Sequence, residues 1–366
     1  MSNHIIAYFI SPHGFGHASR ATAVMAEIQR ISPFVHFEIY TKIPRWFFEQ
    51  SLTSCFNYHS LLTDVGLIQK TPLHEDINKT LESLNKFYPI ESSFVKTLAG
   101  ELKKLKCKLV ISDISPVGII AAKEAGIPSV LIENFTWDWI YEGYVEEYPD
   151  FYKHIDYLKK MFESADYHIQ AEPVCCYRDA DLIVNPVSRK PRTSREFIRK
   201  KLGISEGSGM VTVTMGGIPE EKYDFLEKLT YQRNVSFIIP GGSRTTKIHR
   251  NIILLPHRSE YFHPDLINAS NLVIGKLGYS TLAEVYHARI PFGYLIRPDF
   301  RESKALAEYV ERKMGGFSMT EKVFQNGDWL ACLTDFLTLP PVERNEPNGA
   351  DQAAGFIRKI LQPTAQ

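Results

Sequence analysis

Apolar residues follow two periods along the chain. "HIIAYFI" (His4–Ile10) is a nearly unbroken apolar run, the pattern of a parallel strand covered on both faces. "HASRATAVMAEIQRI" then places its apolar residues at helical spacing, and "VHFEIYTK" is extended again, so the opening predicts a βαβ unit. "KLVISD" and "IPSVLIE" are short strand-like runs flanking the helical "VGIIAAKEAG", which repeats the unit to about residue 133. From 134 to 168 the pattern changes: Phe135, Trp137, Trp139, Tyr141, Tyr144, Tyr148, Phe151, Tyr152 and Tyr157 stand among acidic residues. This reads as an aromatic helical layer packed on the sheet, in preference to an open wall against which an acceptor stacks.

The segment "NPVSRKPRTSREFIRKKLGI" interrupts the periodicity with Pro186 and Pro191, marking a boundary between two lobes. Its positive charges read as a solvated linker and helix face, with anion binding as the lesser alternative. The strand pattern then restarts with "MVTVTM", "VSFIIPGG", "IILLP", "NLVIGK" and "PFGYLIR", each ending in glycine, a turn or polar residues. Parallel strands that present such ends to a crevice form ligand sites. The predicted architecture is α/β, with two doubly wound, Rossmann-like lobes facing a central cleft. The boundaries are 1–187, 188–340 and a C-terminal helical segment, 341–366, that crosses back to the first lobe.

Composition narrows the classes. The 366 residues are 44% hydrophobic and suffice for two cores, and 42 Lys plus Arg balance 42 Asp plus Glu. No global field favours nucleic acid or an anionic membrane, so a polyanion site must be local. Five cysteines without CxxC spacing suggest neither a disulfide framework nor zinc, and fit the cytoplasm. No run has the length of a spanning helix, which leaves peripheral membrane contact as the open form of membrane association.

The chemistry concentrates in "HGFGHASR". Gly14 and Gly16 let a ligand approach the backbone where the following helix aims free N–H groups. The spacing matches neither GxGxxG nor GxxxxGK[ST], which argues against NAD and a P-loop. His13 is as readily a helix cap as a functional group. His17 is the better general base, because imidazole titrates near neutrality. Asp113, at the end of "KLVISD", can orient His17 or cap the next helix. In the second lobe, "GKLGYSTLAEV" suits a diphosphate, with Gly278, Ser280 and Thr281 at a helix start; a capping box closed by Glu284 is the plainer alternative. Gly216-Gly217 is a weaker candidate. "RPDFRES" offers Asp299, Arg301 and Glu302 to sugar hydroxyls, or a solvated loop. "DAD" at Asp179–Asp181 spells a metal motif, but it lies away from the predicted strand ends, and no metal is expected.

"HGFGHASR", "VISDISP", "ENFTWDWIYE", "SRKPRTSREFIRKKLGI" and "GKLGYSTLAEV" with "RPDFRES" resemble the glycosyltransferase-like amino-terminal half of plant L-arabinokinase, and more distantly the MurG and UDP-glycosyltransferase families. The resemblance implies a GT-B fold, a UDP-linked nucleotide-sugar donor on the second lobe, an unidentified acceptor on the first, and no cofactor. It carries no kinase activity, since no galactokinase-type ATP region follows. It implies His17 as base with Asp113 in support. It also implies Gly278, Tyr279, Ser280 and Thr281 at the diphosphate, and Glu284 at the ribose. Lys276 stands where plant transferases have histidine, and Arg301-Glu302 replaces a sugar-gripping Asp-Gln or Gln-Gln. The expected reaction is inverting transfer without a metal; a binding module without turnover and a nucleotide-sugar epimerase are the alternatives.

Overall fold

The computed structural model describes residues 4–216 and 223–362. Among them, the first lobe holds a sheet of seven strands: β1 (His4–Ile10), β2 (Val35–Thr41), β3 (Phe56–Ser60), β4 (Cys107–Asp113), β5 (Ser129–Glu133), β6 (Tyr167–Ala171) and β7 (Leu182–Val184). Their order is β3-β2-β1-β4-β5-β6-β7, and every pair is parallel. The strand order reverses between β1 and β4, whose carboxyl ends meet with Ile10 opposite Asp113. That is the switch point at which open α/β sheets place ligands.

The second lobe repeats the plan with β8 (Gly209–Thr214), β9 (Val235–Pro240), β10 (Lys247–His249), β11 (Ile252–Leu255), β12 (Leu272–Lys276), β13 (Phe292–Leu295) and β14 (Gly316–Met319). The order is β10-β11-β9-β8-β12-β13-β14, with β10 antiparallel at the edge. The order here reverses between β8 and β12, so this switch point ends in Lys276 and the following loop.

Both sheets are cores of the doubly covered kind. Ile6 through Ile10 and Leu109 through Ile111 have no exposed surface, as an unbroken apolar run requires. The Gly349–Leu361 helix packs on the first-lobe helix Phe15–Ile31, sharing its core through Ala350, Ala353, Ala354 and Ile357. Small side chains at that i, i+3, i+4 spacing let the helix axes approach closely.

The aromatic stretch forms the helices Trp137–Glu142 and Tyr152–Phe162, with Phe135, Trp137, Tyr141 and Phe151 buried in one cluster. The basic segment keeps a solvated side, with Lys190, Arg192, Lys200 and Lys201 exposed, but its arginines are also bound. Arg189 is bound to Glu284, Arg192 to carbonyls of Gln50 and Ser51, Arg195 to carbonyls of Asn268 and Ser270, and Arg199 to that of Ala269. Five-donor guanidinium groups are suited to closing off helix ends in this way. No helix among the described residues is long and apolar enough to cross a membrane.

Candidate active site

The two switch points face each other across a cleft of about 240 Å³. From the first lobe it is lined by the His13–His17 turn, Arg20, Asn134 and Phe135; from the second by Gly216, the Lys276–Thr281 loop, Glu284, Arg297, Phe300 and Glu302. The lobes come close here: a β-carbon at Gly16 would sit 3.7 Å from the Ser280 hydroxyl.

On the first lobe, Gly14 is the N-cap of the Phe15–Ile31 helix at φ 76°, a left-handed conformation that glycine adopts freely. His17 follows in the first turn, buried, and its Nδ1 lies 2.8 Å from Asp113 Oδ1. Asp113 is fully buried and does not cap the next helix, where Ser115 holds the cap position. A carboxylate only accepts, so a neutral ring in this bond carries its proton on Nδ1 and offers Nε2 as an acceptor. Arg20 grips the same carboxylate from the other side, Nε to Oδ2 at 2.8 Å and Nη2 to Oδ1 at 2.7 Å. Burial pushes the Asp113 carboxyl up, but the Arg20 charge and the His17 hydrogen bond outweigh it and hold the group below its ordinary range.

His13 does not cap the helix. Its ring packs edge-on to Trp137 with centroids 5.0 Å apart, in a space open because residue 66 is glycine, where a β-carbon would lie 2.6 Å from the ring. Burial, then the charge of Arg297, pushes its imidazole well below the ordinary value, so it faces the cleft neutral at pH 7. The aromatic layer therefore packs the core and also walls the two histidines, with Phe135 6.0 Å from His17.

On the second lobe, Gly278 is the N-cap of the Tyr279–Ala288 helix and no side chain caps it, so the capping box of the alternative reading is not formed. Ser280 and Thr281 sit inside the first turn with their helix end opening on the cleft. Lys276 approaches Gly216, where a β-carbon would lie 3.5 Å from its Nζ. Gly217 lies outside the described residues. Tyr279 also lines the cleft: its hydroxyl accepts from the Val187 N–H at 3.0 Å, and its ring lies 4.9 Å from the Arg20 guanidinium.

Glu284 lines the cleft with both oxygens engaged, by Arg189 at 2.9 and 3.0 Å and by His263 Nδ1 at 2.8 Å. Burial raises its carboxyl, yet Arg189 and His263 outweigh burial and hold it ionised. Asp299 and Arg301 are not among the residues that line the cleft. The Asp299 carbonyl accepts from Tyr144, while Arg301 lies 4.2 Å over the half-buried Trp139 ring and pairs with Glu142 of the first lobe at 2.8 Å. Glu302 does line the cleft, accepting from Asn134 Nδ2 at 2.8 Å, and burial raises its carboxyl against that hydrogen bond and the Arg297 charge.

Sequence reasoning missed Arg20, Asn134 and Arg297. Arg20 was within reach, since it follows His17 by three residues on one helical face. Asn134 follows a strand carboxyl end as Asp113 closes one, a positional signal that a neutral amide does not advertise.

No family model matches the chain. It is 30% identical over its full length to the L-arabinokinase of Arabidopsis thaliana, spanning 35% of that protein. It is 25% identical to an uncharacterised glycosyltransferase of Methanopyrus kandleri, over 71% of this chain and 78% of that one. Its fold superposes on the calicheamicin glycosyltransferase CalG4 with a TM-score of 0.64 at 12% identity, covering all of both chains. The chain has the GT-B fold. Two facing Rossmann-like lobes with the ligand crevice between them define a GT-B molecule, and the cleft described above occupies that crevice.

Proposed function

We propose that this GT-B chain is a metal-independent, inverting glycosyltransferase that uses a UDP-linked sugar. The observation that carries the reading is the His17–Asp113 hydrogen bond at 2.8 Å on one wall of a cleft whose other wall is the uncapped helix start at Gly278. An acceptor hydroxyl gives its proton to His17 Nε2 as its oxygen bonds the anomeric carbon. The bond from that carbon to the diphosphate breaks, and its electron pair leaves with the nucleotide. Lys276, the Ser280 and Thr281 hydroxyls and the first-turn N–H groups balance the charge that grows there, so the cation at the diphosphate comes from the chain itself. Glu302 faces the sugar, and Glu284, oriented by Arg189 and His263, meets the ribose.

The test is UDP release from a panel of UDP-sugars, with and without a panel of alcohol acceptors. Transfer with inversion is expected, and His17→Ala reduces it by about 10³-fold or more with UDP affinity retained. Binding without release under every acceptor would leave a binding module, and an isomerised sugar formed without acceptor would indicate an epimerase.

A further inference from the structure

Five buried side chains form one unbroken path from the first lobe to the second. His17 Nδ1 meets Asp113 at 2.8 Å, and Arg20 grips both oxygens of that carboxylate at 2.7 and 2.8 Å. Arg20 Nη1 then donates to Asn134 Oδ1 at 2.5 Å, and Asn134 Nδ2 donates to Glu302 Oε1 at 2.8 Å. Arg20 is 1% exposed, Asp113 0%, Asn134 1% and Glu302 5%, so the path is shielded from bulk water in the docked molecule. The first four belong to the first lobe; Glu302 opens the second-lobe helix Glu302–Lys313.

Each residue type fits its place. Arginine only donates and a carboxylate only accepts, so the group between Arg20 and Glu302 must do both. Asparagine does both from one planar amide, and its orientation is fixed by its two neighbours. Arg20 is also held from the second lobe by the Tyr279 ring, 4.9 Å from its guanidinium carbon.

We infer that Arg20 and Asn134 are positioning residues through which docking of the second lobe, sensed by Glu302, sets the hydrogen bond between Asp113 and His17. This rests on the reading of His17 as the base. When the lobes part, Asn134 loses Glu302, its amide is free to turn, and Arg20 loses one of the anchors that hold Asp113 against Nδ1. The base is then aligned only while the two halves of the cleft are assembled, which discourages attack on a donor held by an open molecule.

The experiment follows the His17 Nδ1–H proton by NMR of protein labelled with ¹⁵N-histidine, assigned by its loss in His17→Ala. In the unaltered chain it is expected to be shifted downfield and slow to exchange with solvent. Glu302→Ala, on the other lobe, raises its exchange rate about tenfold or more. Asn134→Leu does the same, and the double variant exchanges no faster than either single one. Unchanged exchange in Glu302→Ala, or additive effects in the double variant, overturns the inference. Should Asn134→Leu not give a dispersed spectrum, Arg20→Lys takes its place, with the same expected rise and the same overturning result. The base reading fails separately, by UDP release in His17→Ala equal to that of the unaltered chain.

Discussion

His13 shows how a single side chain carries the pH dependence of the cleft. Its imidazole is pushed below the ordinary value by burial and by Arg297. As pH falls past about 6.5, the unfolded chain takes up a proton that the folded chain refuses. The folded state binds fewer protons there, so stability is complete above that pH and declines below it. A melting-temperature series from pH 7.5 to 5 in His13→Gln is expected to fall less steeply than in the unaltered chain; parallel slopes would remove His13 from the account. Asp113 acts with the same sign at lower pH: Arg20 and His17 stabilise its ion, so its contribution is complete above the ordinary carboxyl range, about 4, and is lost as pH falls below it. Asp113→Asn leaves a buried guanidinium without its counter-charge and is expected to cost about 3–5 kcal/mol. Adding Arg20→Met should return much of that loss in chemical denaturation, since it removes the stranded charge.

The helices and strands respond to packing. Ala353 sits with no exposed surface between the Gly349–Leu361 and Phe15–Ile31 helices. Ala353→Leu inserts a side chain where the axes leave no room, and about 1–3 kcal/mol of destabilisation is expected by denaturant titration. A neutral result would mean that the helix docks more loosely than its burial indicates. These elements were the legible part of the chain. "HIIAYFI" and "NLVIGK" became β1 and β12 because an apolar run covered on both faces has few alternatives. β3 and β7 escaped notice because "FNYHS" and "LIV" lie at or near sheet edges, half-exposed and short. Of the candidate site, His17, Asp113 and the Gly278 loop were legible because glycine and imidazole at strand ends are rare enough to stand out. Asn134 and Arg297 were not, since their roles come from partners up to 222 residues away, a separation that no local spacing reports, whereas Arg20 had a local signal in its spacing from His17. The packing of Asp299 and Arg301 against the first lobe was illegible for the same reason: a polar cluster does not reveal which lobe it will face.

The lobes exchange side chains across their boundary. Leu73 of the first lobe is buried in the second-lobe core cluster that includes Val213 and Leu295, while Phe300 of the second lobe joins the aromatic cluster of the first. Between these two insertions, Glu75 and Arg297 form a buried ion pair, 8% and 5% exposed, with the Arg297 guanidinium 3.7 Å over the Phe300 ring. One charge comes from each lobe, so the pair exists only while the lobes are docked. Removing one partner strands the other in a dry interface at about 3–5 kcal/mol, and parting the lobes relieves that cost by returning water to Arg297. Glu75→Ala should therefore shift the population toward an open molecule without unfolding either sheet. Small-angle scattering is expected to give a larger radius of gyration, and calorimetry a first transition separated from the second where the unaltered chain melts cooperatively. The replacement Leu73→Ala, which removes an apolar anchor and leaves no charge behind, should open the molecule less for a similar loss of total stability. If both variants keep the dimensions of the unaltered chain, the lobes are held by their linker and C-terminal helix, and the insertions merely fill space.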